Sequence, residues 1–288
     1  MAYSSFAELL SASVHCGSLG AAALELEAEE SGRDLAELRQ RMAETLGVMR
    51  EAVAAGLTGD VRSRSGFVGG DAARVAASRS GPLDATFVQV IAAALATGEV
   101  NASMGRIVAA PTGGASGVLP AVLLGVGEHY GADDDRLVDA LFCAAGIGGV
   151  IAARATLSGA AGGCQAEIGS ASAMAAAAAV ELAGGTPAQA GQAASLALQG
   201  QLGLVCDPVG GLVEVPCVFR NATGASVALA AAQMALAGVE FPIPFDEVAD
   251  SMGLVGRSLP PSLRETALGG LAVTPCGREM AASLRDRD

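Results

Sequence analysis

Ten of the fourteen residues 170–183, SASAMAAAAAVELA, are Ala or Ser. A helix of this kind is close to a bare backbone cylinder. Interiors pack to crystal-like density, so its neighbours must come very near or leave voids. The whole chain shares the constraint. It is 51% apolar but only 3% aromatic, with no Trp, so the core must be built from Ala, Leu, Val and Gly. A core of small side chains suits a tightly enclosed site, because glycine lets backbone approach a ligand. Alanine-rich helices are also common filler, and composition alone does not choose between the two.

Periodicity points to an all-α fold. In RDLAELRQRMAETLGVMREAVAA (33–55), Leu35, Leu38, Met42, Leu46, Met49 and Val53 recur at steps of three and four, which is one face of a helix. Further helices are predicted over 84–97, with Asp84 as N-cap, and over 134–145, 170–183, 187–199 and 222–237. Thr186 followed by Pro187 is a cap and first-turn pair. Strand signals are weak; Gly211–Val215 is the best extended candidate. Gly-rich loops are expected at 56–75 and through 101–120. The chain reads as one helical domain over 1–288, with 1–80 as a candidate N-terminal subdomain.

Charge and residue usage exclude several chemistries. The net charge of −13 opposes binding to nucleic acid or to an anionic membrane surface. All 17 basic residues are arginines. Without lysine there is no Schiff base to pyridoxal phosphate or to a carbonyl substrate, and no P-loop lysine. MAYSSFAELL lacks the basic and apolar regions of a signal peptide, and no uninterrupted apolar run reaches a membrane span. A cytoplasmic protein is expected. In that compartment the six cysteines would be reduced, metal-bound or catalytic.

None of the six forms a CxxC pair. Cys164 follows a Gly-rich loop and precedes a helix, where the helix N-terminus favours a thiolate. Cys206 and Cys217 bound CDPVGGLVEVPC, a segment too rich in Pro and Gly for a helix. Cys143 sits in an apolar stretch and reads as a small buried hydrophobe. Three thiolates on loop edges suit zinc, copper(I) or iron–sulfur, and three ligands leave one position open for substrate. Spacing alone leaves three ordinary buried cysteines as the alternative.

Longer motifs add to this. CDPVGGLVEVPCVFRNATGA (206–225), NASMGRIVAAPTGGASGVLP (101–120), AEIGSASAMAAA (166–177) and SGFVGGDA (65–72) occur in one chain. Together they resemble the alpha chain of the iron–sulfur-dependent L-serine dehydratases, over about residues 35–277. The resemblance implies a mostly helical fold and a [4Fe–4S] cluster held by Cys164, Cys206 and Cys217, which stand 42 and 11 residues apart. It also implies a separate beta chain, an oligomer, and L-serine as substrate; no further regulatory domain is expected in this chain. On that reading Pro208 and Pro216 stiffen the span between two ligand sulfurs.

The implied reaction is dehydration of L-serine to pyruvate and ammonia, with the iron that lacks a thiolate as Lewis acid. Arg220 and Asn221 are candidates to hold the substrate carboxylate, together with Ser103, Thr112, Gly113 and Ser116. Each has an ordinary turn, capping or loop-bonding role as its alternative. Glu167 and Glu214 are candidate acid–base groups or anchors for the cluster ligands. The base is otherwise expected from the beta chain, since His15 and His129 are poorly placed. Cys276 is either a surface thiol or a removable plug for the open iron. Threonine, cysteine or another β-substituted amino acid is an alternative substrate. A non-catalytic iron–sulfur or zinc module is the rival class.

Overall fold

The computed structural model describes residues 3–285. Its helices are α1 (Phe6–Cys16), α2 (Leu19–Ser31), α3 (Leu35–Leu57), α4 (Asp71–Ala77), α5 (Ala85–Ala102), α6 (Val118–His129), α7 (Asp134–Arg154), α8 (Gly159–Gly162), α9 (Ser170–Leu182), α10 (Pro187–Gln199), α11 (Cys217–Leu236), α12 (Phe245–Ser258) and α13 (Pro275–Arg285). Among the described residues no strand forms; one isolated bridge joins Cys206 to Arg264. The fold is all-α, as the periodicity predicts.

The alanine-rich run becomes α9, the central helix, packed against α6, α7, α10 and α11. Its residues are buried on every side, from Ser170 to Val180. Each buried methylene-sized group contributes only about 0.8 kcal/mol, so such a helix is held by many close neighbours rather than by a few large side chains. One contiguous apolar cluster runs from Leu9 in α1 to Met252 in α12. A smaller one joins Val68, Ala72, Leu95 and Val218 where α4 and α11 meet α5.

Local signals explain the helix starts. Asp34, Asp84, Asp133 and Thr186 each accept a backbone N–H of the first turn, and Ser5 and Thr186 complete capping boxes. The helices expected at 33–55, 84–97, 170–183 and 187–199 are all present. Helix α7 runs nine residues beyond the expected end at 145, because Ile147, Val150 and Ile151 are fully buried. The stretch Gly211–Val215 is not a strand; a 3-10 turn over Val209–Gly211 leads into loop. Helix α11 begins at Cys217 rather than 222, so the cysteine-bounded loop ends on a helix N-terminus. Helices α1, α2, α4, α12 and α13 lie where no helix was expected. Helix α6 starts inside the stretch expected as Gly-rich loop, 101–120, where glycine and proline mask a buried apolar run, Val118–Leu123.

Helices α5 and α7 are long and apolar enough to cross a membrane by length and composition, yet over half of each is buried inside this fold. Ala176, fully buried in α9, tests how tight the packing is. Ala176→Leu should destabilise the chain by about 1–3 kcal/mol through overpacking, read as a lower urea midpoint at unchanged slope; an unchanged midpoint would show slack around α9.

Candidate active site

The three candidate cysteines come from three elements, and hydrogen bonds tie those elements together. Cys164 precedes a π-helical turn, Gln165–Gly169, that runs straight into α9. Such turns recur at functional sites. Gln165 donates its backbone N–H to Leu204 O at 2.9 Å, and its side-chain oxygen accepts from Gly203 N at 2.9 Å. The segment leading to Cys206 is thereby fastened beside Cys164. Cys206 is pinned in turn: it donates to Leu263 O at 2.9 Å and accepts from Glu265 N at 2.8 Å.

Cys217 opens α11, and Asn221 locks that turn. The Asn221 amide donates to Cys217 O at 2.9 Å and Gly114 O at 2.8 Å, and its oxygen accepts from Gly117 N at 2.8 Å. Its side chain is thus spent on backbone, holding the 113–117 loop against α11. Gly117 is required there, since a Cβ would collide with Ala94 O.

The thiols share one electrostatic neighbourhood. Burial pushes Cys164 up to about 11, against the pull of the Arg220 charge. Burial pushes Cys217 up to about 12, and the Cys164 sulfur adds to the rise. Cys206 is raised furthest, by burial first and then by Glu167, Cys164 and Cys217. Among the described residues no three His, Cys, Asp or Glu donors could hold a single metal ion.

Glu167 sits in the π turn beside the sulfurs. Thr112 donates its hydroxyl to Glu167 Oε1 at 2.6 Å, and the Cys206 sulfur lies 3.7 Å from Oε2. Burial raises this carboxyl above the usual range, partly offset by the Thr112 hydrogen bond. Gly159 lets both side chains pack against its backbone, because a Cβ there would strike Glu167 Oε2 and approach the Cys206 sulfur to 3.2 Å.

Arg220 is not a free anion clamp. Its Nη1 donates to Val205 O at 2.8 Å and lies 2.9 Å from Asp207 Oδ1, an ion pair of charge contact rather than good hydrogen-bond alignment. Asp207 Oδ2 also accepts from Leu271 N at 2.7 Å. The pair joins the Cys206 loop, α11 and the 270–273 turn while the guanidinium faces Cys164.

The other candidates are more scattered. Glu214 is buried and accepts from the Ser65 hydroxyl. Ser103 donates to Val100 O at 2.9 Å, closing α5. Gly113 starts a 3-10 turn, and Ser116 is fully buried with a hydroxyl that has no partner among the described residues. Cys276 is exposed near the start of α13. Cys143 is fully buried and His15 and His129 are exposed at the ends of α1 and α6. Sequence reasoning missed Asp207, Gln165 and Ser65. Asp207 directly follows a candidate ligand and Ser65 opens a quoted motif, so position offered a signal. Glu265 and Ala267 near the Cys206 bridge, and Met104, hold positive φ values of 63°, 56° and 65°. Non-glycine strain of this kind gathers at functional sites.

A family model for the serine dehydratase alpha chain matches residues 16–272. The chain is 51% identical over 264 residues to a probable L-serine dehydratase alpha chain of Bacillus subtilis, across 90% of this chain and 86% of that one. It is 46% identical over 260 residues to the L-serine dehydratase alpha chain of Peptoniphilus asaccharolyticus, across 89% of each. An L-serine dehydratase of Streptomyces coelicolor is 40% identical over 270 residues, which span 88% of this chain but 57% of that longer protein.

Removing one member of a buried ion pair strands the other. Asp207→Ala should therefore cost about 3–5 kcal/mol, measured by urea unfolding; a loss under about 1 kcal/mol would mean that the pair behaves as an exposed one.

Proposed function

The chain belongs to the serine dehydratase alpha-chain family, and on that premise we propose that it is the catalytic subunit of an L-serine ammonia-lyase, a lyase that converts L-serine to pyruvate and ammonia. The reading is supported by the contact of the Cys206 sulfur with Glu167 Oε2 at 3.7 Å and by the electrostatic influence that Cys164, Cys217 and Glu167 exert on Cys206. A second chain completes the enzyme. The longer Streptomyces relative, of which this chain matches 57%, supports a further polypeptide in the active assembly.

The donor set fits a [4Fe–4S] cluster. Three free sulfurs are present, and thiolates are favoured ligands of iron–sulfur clusters. Cys164, Cys206 and Cys217 would hold it, and thiol protons would leave as it binds. When bound, the cluster supplies a Lewis-acidic iron that weakens the substrate C–O bond. Unpaired thiols of this kind suit the reducing cytoplasm.

The residues of the chain handle the rest. Thr112 engages Glu167 Oε1 and so orients the carboxyl, leaving Oε2 toward the sulfurs. Oε2 takes the serine α-proton, and its raised affinity for protons suits that task. Loss of that proton and of the β-hydroxyl gives 2-aminoacrylate, which tautomerises and hydrolyses to pyruvate and ammonia. Arg220 keeps the Cys164 side of the space positively polarised while Asp207 fixes its position. No lysine is needed for this chemistry.

Anaerobic purification with the second chain, followed by iron and sulfide counts and a pyruvate assay on L-serine, tests the reading. Cys164→Ser, Cys206→Ser or Cys217→Ser should each lower bound iron and abolish turnover. Glu167→Gln should keep the iron and lower kcat about 100-fold or more. Full activity in an iron-free preparation would end the proposal.

A further inference from the structure

A cavity of about 610 Å³ lies between the 64–65 loop, the end of α5 and the 211–214 loop. Its lining includes Arg64, Ser65, Asn101 and Glu214. Arg64 is exposed and has no hydrogen bond or ion pair to any described residue, and the Asn101 carboxamide is likewise unengaged. Glu214, by contrast, is held from one side by the Ser65 hydroxyl. A guanidinium and a carboxylate thus face one hollow without pairing with each other.

The hollow adjoins the thiol site. Gly114 stands between them: a Cβ there would come within 3.4 Å of Glu167 Oε1 and 3.5 Å of Val213 Cγ1. Val213 lines the cavity, so a single glycine separates it from Glu167 Oε1, the oxygen that Thr112 holds. Gly113 abuts the Asn101 side chain in the same way, at 3.4 Å. Another cavity, of about 360 Å³, lies among Phe87, His129 and Leu236 and touches none of these groups.

We infer that the Arg64–Asn101–Glu214 cavity is the pocket that recognises the two charged groups of an α-amino acid. Arg64 takes the α-carboxylate, Asn101 adds a hydrogen bond to it, and Glu214 takes the α-ammonium. Opposite charges set apart in one cavity match a zwitterion, and a mono-charged ligand satisfies only half of them. In a chain of net charge −13, an unpaired guanidinium at this place gives a carboxylate somewhere to bind. The inference rests on the amino-acid lyase reading for its substrate, and it names residues that reading does not use.

Calorimetric titration of the purified chain with three probes tests it. They are L-serine, serinol (no carboxylate) and 3-hydroxypropanoate (no ammonium). Arg64→Gln should weaken L-serine and 3-hydroxypropanoate about 10- to 100-fold and leave serinol unchanged. Glu214→Gln should weaken L-serine and serinol and spare 3-hydroxypropanoate. Arg33→Gln, on the exposed start of α3, is the control and should change nothing. In the assembled enzyme Arg64→Gln should raise KM for L-serine by a similar factor with iron content intact. Wild-type chain that binds no L-serine, or an Arg64→Gln chain that loses all three probes equally or none, overturns the pocket. A chain that binds serine through Arg64 yet makes no pyruvate when assembled overturns the lyase reading and leaves the pocket standing. Turnover with KM unmoved by Arg64→Gln does the reverse.

Discussion

Close approach of backbones around α9 is the constraint on which the rest depends. Alanine and glycine bring four helices onto one central rod. Polar groups reach across where backbones nearly touch: the single Ser172 hydroxyl proton is shared between Ile168 O at 2.7 Å and Gly224 O at 3.0 Å, so a side chain of α9 reaches the backbone of α11. A larger residue at 224 would drive into Ile168 and Ser172. Rigidity of this type is what lets the N-terminal ends of α9 and α11 serve as fixed mounts. Cys164 lies just before one and Cys217 begins the other.

Mounting two sulfurs on helix ends leaves the third to be placed by loop. Cys206 has no helix beneath it. Its position comes from the short bridge to Leu263 and Glu265, from the lash to the Cys164 turn through Gln165, and from the Asp207–Arg220 pair. Three separate ties thus hold residues 203–207 of the loop. Removing any of them would free a sulfur that two rigid elements cannot follow. The interactions around the site therefore look structural when taken singly, as with Asn221, which touches only backbone. Taken jointly, they define the distances among the thiols.

Much of this was legible in the chain. The caps Asp84 and Thr186 and the period of 33–55 are local signals, and local signals survive folding. Cys164, Cys206 and Cys217 stood out because they sit beside Gly or Pro at element edges. The helices α1, α2 and α12 were missed for different reasons. Helix α2 has almost no apolar side of its own and is defined by burial against α7. Helix α6 hides behind glycine and proline. The role of Arg220 was illegible because it depends on Asp207, which is 13 residues away in sequence and meets it only after the loop closes. Arg64 and Asn101 were invisible for the same reason: an unpaired side chain is a property of the surroundings, and the surroundings come from four separate segments.

Charge governs how such a site can form. Three thiolates and a carboxylate in one buried space would repel one another strongly. Burial raises all three thiols above their ordinary value, which favours the neutral form and lessens that repulsion. The sign follows from linkage: groups raised above their unfolded values contribute stability below those values and lose it as pH rises through the folded ones. The ordinary thiol value of 9.0 marks where that loss begins, well above neutrality. On the proposed reading, binding of a cluster would displace those protons. Arg220, set against Cys164 and balanced by Asp207, eases that ionisation at one sulfur without leaving a net charge stranded in the interior.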